Sequence, residues 1–383
     1  MKSTTSISLL NPNKLVFGAN CFHEFIEDFL KLGLKRLYLL SIEELQGELS
    51  CGLNKLESHG ITIKSNHAIK QEPSFEGFEE ILKQARDFEA DAIVGIGGGS
   101  VLDVAKLVAA QLLNAQPTSA ITGIGNLSER RTYLACIPTT AGTGSEVSPN
   151  SILLDSNGNK VGVISPYLVP DASYVDPVLT LSVPKHITAS TGIDALTHCL
   201  EAYANKFAHP VIDLIALEGI RLVSKSLKKA CDDGTDLEAR TQLALGSMYG
   251  GMCLGPVNTA AVHALAYPLG TDFHINHGLS ISLLLPAVME FTLTVAPERY
   301  ATIAIALGAK KQASDLETAR EGVKILRKLI KDCGLPTTLS ELNIPTNAVA
   351  TMAADAMKVQ RLLKNNLREV SLKDAEKIYL SAF

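Results

Sequence analysis

The strongest constraint on the fold of this chain is a change of hydrophobic pattern half way along it. Up to Val183, short apolar runs rich in β-branched residues alternate with amphipathic stretches, whereas from His186 to Phe383 nearly every window has helical spacing. Such alternation is typical of parallel strands joined by crossover helices. The sequence therefore predicts an α/β domain, residues 1–183, followed by an all-helical domain, residues 184–383. Two such domains would leave a cleft between them, where small-molecule sites usually lie.

Individual elements can be assigned in the first half from the same pattern. It predicts three buried strands and three helices: Leu37–Leu40, Asp91–Ile96, Leu134–Ile137, and Phe22–Leu32, Ser74–Phe88, Val101–Leu113. Later, the runs Ile152–Asp155 and Lys160–Ile164 flank Asn157-Gly158, a dipeptide typical of tight turns. The segment Ser151–Asp176 is therefore predicted to form a β-hairpin.

The composition excludes several classes of function. Lys+Arg 35 against Asp+Glu 40 gives a net charge of -5 at pH 7, and no basic block is present, so nucleic acid is not an expected partner. The longest apolar stretches are each interrupted by charged residues or proline, so no membrane span is predicted. The first twenty residues lack the apolar core of a signal peptide, and the seven cysteines are odd in number and scattered. A cytoplasmic protein with unpaired thiols is the expectation.

A glycine-rich loop joins a predicted strand to a predicted helix in D-A-I-V-G-I-G-G-G-S-V-L-D-V-A-K, Asp91 to Lys106. Residues without side chains would let backbone N–H groups approach a diphosphate at the positive end of the helix. The same glycines also suit a tight turn that binds nothing. The loop ends in Ser100 and no acidic residue follows at the usual offset of about 20 residues, so it is not a standard Rossmann fingerprint.

A second loop of small residues, Ile137 to Ser148, follows the next predicted strand. It offers the hydroxyls of Thr139, Thr140, Thr143 and Ser145. Clusters of Ser, Thr and Gly are usually plain loops. Two of them at the carboxyl ends of predicted parallel strands favour a ligand there, because that edge of an open α/β sheet is where ligands bind.

Histidines in the helical half could ligate a metal. Asp194 and His198 stand four residues apart, which places a carboxylate and an imidazole on one face of a helix. His263, His274 and His277 follow within one apolar segment marked by Gly and Pro. Each histidine alone is more often a satisfied core residue. One carboxylate with three imidazoles is a donor set suited to Fe²⁺ or Zn²⁺.

Four segments together, in order and over essentially the whole chain, resemble the iron-containing (group III) alcohol dehydrogenases. This family lies in a superfamily with glycerol dehydrogenase and dehydroquinate synthase. The segments are G-G-G-S-x-x-D-x-A-K at Gly97–Lys106, P-T-T-A-G-T-G-S-E-V-S at Pro138–Ser148, D-A-L-T-H-x-x-E at Asp194–Glu201, and His263–Gly278. The resemblance implies a dehydroquinate synthase-like fold, with a parallel sheet and nucleotide site in the α/β domain and a metal in the all-α domain.

The resemblance also implies roles for individual residues. The metal ligands would be Asp194, His198, His263 and His277. The cofactor site would be formed by Gly97, Gly98, Gly99, Ser100, Asp103, Thr139, Thr140, Thr143, Ser145 and Lys160. Fe²⁺ is the expected metal, with Zn²⁺ as the alternative. The metal would polarise the substrate oxygen while the nicotinamide exchanges the hydride.

Three positions depart from the family pattern. Tyr267 stands where family members commonly have a histidine that assists proton transfer, and His274 stands where relatives often have Asp or Asn. Both are candidate catalytic groups here. Ile42, followed by Glu43 and Glu44, replaces an Asp that ends the second strand in many NAD-preferring members. These carboxylates would repel a 2′-phosphate, so NAD is expected and NADP is disfavoured.

The predicted function is a metal-dependent alcohol dehydrogenase or aldehyde reductase that acts on a small alcohol or aldehyde, as a homodimer or a higher homo-oligomer. One alternative is a dehydroquinate synthase-like lyase or cyclase, which would regenerate its cofactor. A second is a dehydrogenase for a sugar-derived alcohol or a hydroxy acid. A third is a catalytically silent protein that binds a metal and a nucleotide.

Overall fold

The structure is a computed structural model that describes residues 6–70, 72–156 and 158–383 and forms two compact units. The α/β unit consists of Leu10–Thr140 and Gly144–Leu181. The helical unit consists of residues 6–9, Ala141–Thr143 and Ser182–Phe383. Three residues in the middle of the second small-residue loop thus belong to the helical unit. The division into two units therefore does not follow a single boundary along the chain.

The α/β unit is built around a parallel sheet. In chain order its elements are β1 (Lys14–Phe17), α1 (Phe22–Lys31), β2 (Arg36–Leu40), α2 (Gln46–Ser58), β3 (Thr62–Asn66), α3 (Phe75–Asp87), β4 (Ala92–Gly97), α4 (Gly99–Gln111), α5 (Thr118–Ile121), β5 (Gly123–Ile124), β6 (Tyr133–Pro138), β7 (Asn150–Leu154), β8 (Lys160–Ile164) and β9 (Ala172–Val175). The described sheet has the order β1-β9-β6-β4-β2-β3 with parallel pairings. The three predicted strands and three predicted helices are confirmed, with ends that differ by at most two residues.

Both faces of this sheet are covered, and β2 shows how. Leu37 and Leu39 pack into one hydrophobic cluster with residues of α1 and α2, while Tyr38 and Leu40 pack into another with residues of α3 and α4. Because neither face meets water, the central strands are continuous apolar runs rather than alternating ones. That is the physical reason why the central strands were recognisable from the sequence.

The predicted hairpin is confirmed in part. β7 and β8 pair antiparallel, and Gly158 between them has a φ of 78°; Asn157 lies outside the described residues. The prediction was wrong for the end of the segment Ser151–Asp176. There β9 belongs to the six-stranded sheet, where it pairs in parallel with β1 and β6. A four-residue strand has no turn signal of its own, so its pairing was not visible locally.

The helical unit packs around one large hydrophobic cluster. Its described helices are α6 (Lys185–Tyr203), α7 (Pro210–Asp232), α8 (Leu237–Leu254), α9 (Ala261–Phe273), α10 (His277–Thr292), α11 (Pro297–Ala306), α12 (Asp315–Asp332), α13 (Val349–Ala356), α14 (Gln360–Leu363) and α15 (Leu372–Leu380). The segment His277–Val295 is long and apolar enough to cross a membrane by length and composition, and 72% of it is buried within the protein. Such burial is typical of a core helix.

Candidate metal centre and cofactor loops

Three helices bring the four predicted metal ligands together. α6 carries Asp194 and His198 one turn apart, His263 lies in the first turn of α9, and His277 is the first residue of α10. The first three residues are only 3–5% exposed. The side chain of His277 is 28% exposed, which makes it the donor nearest to solvent.

The donor atoms of these residues lie around one carboxylate oxygen, and those of Asp194, His263 and His277 all lie within 4.8 Å of one another. Three histidine Nε2 atoms surround the Oδ1 atom of Asp194, at 3.6 Å for His198, 3.4 Å for His263 and 3.6 Å for His277. Ligands about 2.1 Å from a tetrahedral metal ion lie about 3.4 Å from one another. Within the described residues, neither Asp194 Oδ1 nor His263 Nε2 makes a hydrogen bond. Buried polar atoms are rarely left in that state, so this cluster fits a divalent metal ion.

A fifth residue, Glu201, supports this cluster. It lies on α6, is 3% exposed, and its Oε2 is 2.6 Å from Nδ1 of His263. Its Oε1 accepts the backbone N–H of Val262 at 2.6 Å. We did not assign Glu201 a role from the sequence. The available signal was its helical spacing of seven residues from Asp194, which places both on one face of α6.

The charges in the cluster shift the titration of its members. Burial disfavours the Asp194 carboxylate, but the imidazoles around it outweigh burial and hold its pKa below the ordinary value. Burial lowers the pKa of His198. For His263, burial is outweighed by the carboxylates of Glu201 and Asp194, which raise its pKa to about 9. The carboxylates of Asp194 and Glu201 therefore favour positive charge at this place.

The two candidate catalytic residues occupy different surroundings. The ring of Tyr267, one turn after His263 on α9, is centred 6.5 Å from the ring of His277. The Tyr267 hydroxyl accepts a hydrogen bond of 2.8 Å from Nη2 of Arg361. His274 is exposed and ends α9 in a left-handed conformation with a φ of 54°. The structure thus brings Tyr267 beside the donors, while the catalytic roles of both residues stay predictions.

The glycine-rich loop forms the start of α4. β4 ends at Gly97, where a Cβ would lie 2.8 Å from the Val101 side chain, so the strand and helix approach too closely for a side chain. Gly98 precedes the helix, and residues 98–100 are partly exposed. The first N–H groups of a helix lack intrahelical partners and carry its positive end. This is a physically suitable place for an anion.

The threonines of the second loop are distributed over both units. Thr139 ends up buried beside β4, where its N–H donates to the Gly97 carbonyl at 3.0 Å. Thr140 is partly exposed, and a Cβ on Gly98 would lie 3.5 Å from its side chain. Thr143 belongs to the helical unit. Thr140 is therefore the predicted hydroxyl that lies directly beside the glycine-rich loop.

Asp103 and Ser145 are joined inside the protein. The Ser145 hydroxyl donates to Asp103 at 2.5 Å, and the Lys106 ammonium, which is fully buried, donates to the same hydroxyl at 2.8 Å and to the Ser145 carbonyl at 2.9 Å. Asp103 also accepts the Ile152 N–H at 2.9 Å. This network ties the second loop to α4.

Lys160, predicted near the cofactor ribose, forms an ion pair with Glu72. The Lys160 side chain is almost fully buried, whereas that of Glu72 is exposed. Ile42 follows β2 and is partly buried, and Glu43 and Glu44 are exposed. Glu72 is therefore a carboxylate that contacts Lys160 directly.

Comparison with known proteins defines the class as a metal-dependent alcohol oxidoreductase. The profile "Iron-containing alcohol dehydrogenase" matches residues 12–177, and "Fe-containing alcohol dehydrogenase family, C-terminal" matches residues 188–383. The long-chain-alcohol dehydrogenase 1 of Geobacillus thermodenitrificans (strain NG80-2) is 37% identical over 372 residues, which cover 96% of this chain and 94% of that protein. The probable alcohol dehydrogenase EutG of Escherichia coli (strain K12) is 35% identical over 353 residues, 91% of this chain and 88% of that protein.

Comparison with solved structures leads to the same class of protein. The crystal structure of a 1,3-propanediol oxidoreductase matches with a TM-score of 0.95 and 31% identity, and covers 99% of this chain and 100% of that one. The chain belongs to the iron-containing alcohol dehydrogenase family. The predicted fold class and the function as a metal-dependent alcohol dehydrogenase or aldehyde reductase are confirmed. NAD(P) dependence is typical of this family.

A substitution at Gly278 tests whether metal binding depends on the position of His277 relative to Asp194. A Cβ at Gly278, the second residue of α10, would lie 2.3 Å from the carbonyl oxygen of Ser190 on α6. Gly278→Ala should therefore displace the start of α10, move His277 away from Asp194, and destabilise the protein by about 1–3 kcal/mol. We expect a loss of affinity for added Co²⁺ of at least about tenfold, equivalent to about 1.4 kcal/mol.

The measurement is competition for Co²⁺ against a chromophoric chelator. Gly47→Ala is the matched control, because a Cβ at this position of α2 has no atom within 4 Å. It should leave Co²⁺ affinity unchanged. Wild-type affinity in the Gly278→Ala protein would contradict the proposed dependence on this close approach.

Proposed function

We propose that this family member is an iron-dependent, NAD-linked dehydrogenase that interconverts small primary alcohols and aldehydes. The observation that carries the proposal is the convergence of three histidine Nε2 atoms on the buried Oδ1 of Asp194. Fe²⁺ is the proposed metal because the family is iron-containing, and Zn²⁺ would fit the same donors.

Asp194, His198, His263 and His277 would hold the metal. When bound, a divalent ion polarises the substrate oxygen and lowers the pKa of an alcohol hydroxyl. Asp194 supplies the negative charge of the donor set, and Glu201 keeps a proton on Nδ1 of His263. Because His277 is the donor most exposed to solvent, substrate would approach from its side. The surrounding apolar helices exclude water elsewhere, which strengthens the electrostatic interactions within the cluster.

The glycine-rich loop and the loop after β6 would bind the cofactor. NAD supplies the hydride acceptor when it is bound. The free N–H groups at the start of α4 suit its diphosphate, and Thr140 beside Gly98 offers a hydroxyl to the same region. We assign Asp103 and Ser145 a supporting role, since both are bound to each other and to Lys106. The buried lysine would then hold the second loop in position.

We further propose a cytoplasmic homo-oligomer. All seven cysteines are unpaired, which is typical of a reducing compartment. Phe207, Val211 and Leu214, at the start of α7 and just before it, are exposed apolar side chains that support contact with another subunit. The partner that the family supports directly is a small-molecule alcohol or aldehyde.

The metal assignment is tested by removing donors. Asp194→Ala and His263→Ala should lose bound iron and alcohol oxidation together, because each change leaves the ion one ligand short. Iron is measured by elemental analysis of anaerobically purified protein, and activity by net NADH formation with butan-1-ol. His274→Ala, outside the donor set, should retain iron. Full iron occupancy in both donor variants would refute the assignment.

Cofactor preference is expected to favour NAD⁺. The Lys160 ammonium is already compensated by Glu72, and the exposed Glu43 and Glu44 follow β2, where the sequence predicts the ribose site. A 2′-phosphate bound there would therefore meet net negative charge. A like-charge contact of about 1.4 kcal/mol corresponds to a tenfold preference. We therefore expect kcat/KM with NAD⁺ to exceed that with NADP⁺ about tenfold. Equal values would place the ribose pocket elsewhere.

Glu72→Gln refines this test because it removes the charge that compensates Lys160. The variant should narrow the preference for NAD⁺ over NADP⁺, measured as the ratio of the two kcat/KM values at saturating alcohol. Glu298→Gln, an exposed glutamate of α11, is the control and should leave the ratio unchanged.

A second candidate substrate class, the ω-hydroxy acids, is favoured by Arg361. Its guanidinium contacts Tyr267, which lies beside His277 at the more exposed side of the cluster. Among residues 6–70, 72–156 and 158–383, no carboxylate forms an ion pair with Arg361. The remaining N–H donors of a guanidinium match a carboxylate well. The Asn365 amide donates to the Thr259 carbonyl at 2.7 Å and anchors this part of the chain.

Arg361→Leu distinguishes the two substrate classes. If Arg361 binds the distal carboxylate, the variant should lose about tenfold or more in kcat/KM for 4-hydroxybutanoate, about 1.4 kcal/mol, while butan-1-ol is little affected. Arg327→Leu, at an exposed position of α12, is the control. Equal losses for both substrates would mean that Arg361 only holds Tyr267 in place, and Tyr267→Phe should then reproduce them.

A further inference from the structure

Glu201 connects the metal cluster to the start of α9 through both of its carboxylate oxygens. One oxygen is 2.6 Å from Nδ1 of His263 and the other accepts the N–H of Val262 at 2.6 Å. The residue is buried on α6, so water does not compete for either contact. A single carboxylate thus contacts a predicted ligand and the backbone immediately before it.

The contact with His263 determines which ring nitrogen can bind a metal. A carboxylate accepts hydrogen bonds and has no proton to donate, so the shared proton stays on Nδ1. In the neutral ring Nε2 then presents its lone pair, and this is the atom that lies 3.4 Å from Oδ1 of Asp194. The opposite tautomer would place a proton on the nitrogen that faces the cluster.

We propose that Glu201 is a positioning residue that fixes the tautomer and ring orientation of His263 and thereby sets the affinity of the site for its metal ion. This role rests on the proposed function, since it requires that the cluster binds a metal. Carboxylates that hold metal-bound histidines change metal affinity by roughly 10–100-fold when they are removed.

A purely structural role is the competing explanation. α9 begins after Ala260, which has no side chain to cap the helix, and Val262 is its second residue. Glu201 therefore also satisfies one of the N–H groups that have no intrahelical partner. Capping needs only the contact with Val262, whereas the proposed role needs the contact with His263. A useful variant must keep the contact with Val262 and alter the contact with His263.

Glu201→Gln meets this requirement because it preserves shape. Its amide oxygen can still accept the Val262 N–H, which leaves the NH₂ group facing Nδ1 of His263. The NH₂ group is a donor, so Nδ1 must become the acceptor and the ring proton moves to Nε2. We expect affinity for Co²⁺ to fall about 10–100-fold. The pKa of His263 is raised to about 9, so the tautomer must be measured at a pH above this value. There the ¹⁵N NMR spectrum of histidine-labelled, metal-free protein should show one neutral ring changing tautomer.

Asp176→Asn provides the matched control. Asp176 is a buried carboxylate that accepts the N–H groups of Asn20 and Phe22 at the start of α1, so it supports a helix end in the same way, but it lies in the α/β unit. This variant should lose stability towards denaturant while Co²⁺ affinity stays at the wild-type value. Glu201→Gln should show the reverse, with metal-free stability close to wild type.

Two results would overturn the inference. One is unchanged Co²⁺ affinity in Glu201→Gln with unchanged histidine tautomers. The other is a loss of metal-free stability without a loss of Co²⁺ affinity, which would leave only the capping role. Failure of the wild-type protein to bind Co²⁺, Zn²⁺ or Fe²⁺ is a different outcome, because it would refute the proposed metal site itself.

Discussion

The helical unit depends on how one buried carboxylate is compensated. Asp194 lies at the centre of α6, out of contact with water, and an isolated ionised carboxylate is strongly disfavoured there. Three imidazoles from α6, α9 and α10 surround it, and they lower its pKa although burial opposes this. The packing of the three helices and the electrostatics of the cluster therefore depend on each other, since each helix must lie close enough to supply a nitrogen. The absence of a side chain at Gly278 allows the start of α10 to lie against α6.

The α/β unit contains a second buried charge with a different purpose. Lys106 is fully buried in α4, and its ammonium donates to the Ser145 hydroxyl and to backbone carbonyls of Ser145, Ser148 and Asn150. Asp103 beside it supplies the compensating charge. These bonds are made within the protein and not to an open site. The charge thus fixes the shape of a loop. In this respect it differs from the Asp194 cluster, where Asp194 Oδ1 and His263 Nε2 make no hydrogen bond within the described residues.

Much of the fold was predictable because its signals are local. Central strands that are covered on both faces are continuous apolar runs, and several of their crossover helices have a clear period. For this reason β2, β4 and β6 and the helices α1, α3 and α4 were recognised. β9 was assigned to the hairpin because its parallel partners are far away in sequence. The position of Ala141–Thr143 in the helical unit was invisible for the same reason. Pairing across long sequence separation leaves no periodic trace.

For the site, the sequence predicted which residues take part but not which of them contact one another. The four predicted ligands came from a family resemblance, and the structure brings the three histidine nitrogens within 3.6 Å of Oδ1 of Asp194. Glu201 was within a quoted motif, but its partner His263 is 62 residues away, so its contact needed coordinates. Asp103 and Ser145 were predicted to bind cofactor, and only the structure reveals that they bind each other. Residue type and spacing identify residues that could bind a ligand. Whether such a residue contacts the ligand or only supports the loop depends on the hydrogen bonds that it makes within the protein, and these are visible only in the structure.

The unequal burial of the four donors has a consequence for kinetics. His198 and His263 are enclosed within helices, whereas His277 is the first residue of α10 and its side chain reaches solvent. An ion that leaves or enters the cluster should therefore exchange ligands at His277 first. The rate of metal exchange would then depend mainly on the start of α10, whereas all four donors would contribute to the equilibrium affinity. A site of this design would hold an ion tightly at equilibrium and still exchange it quickly.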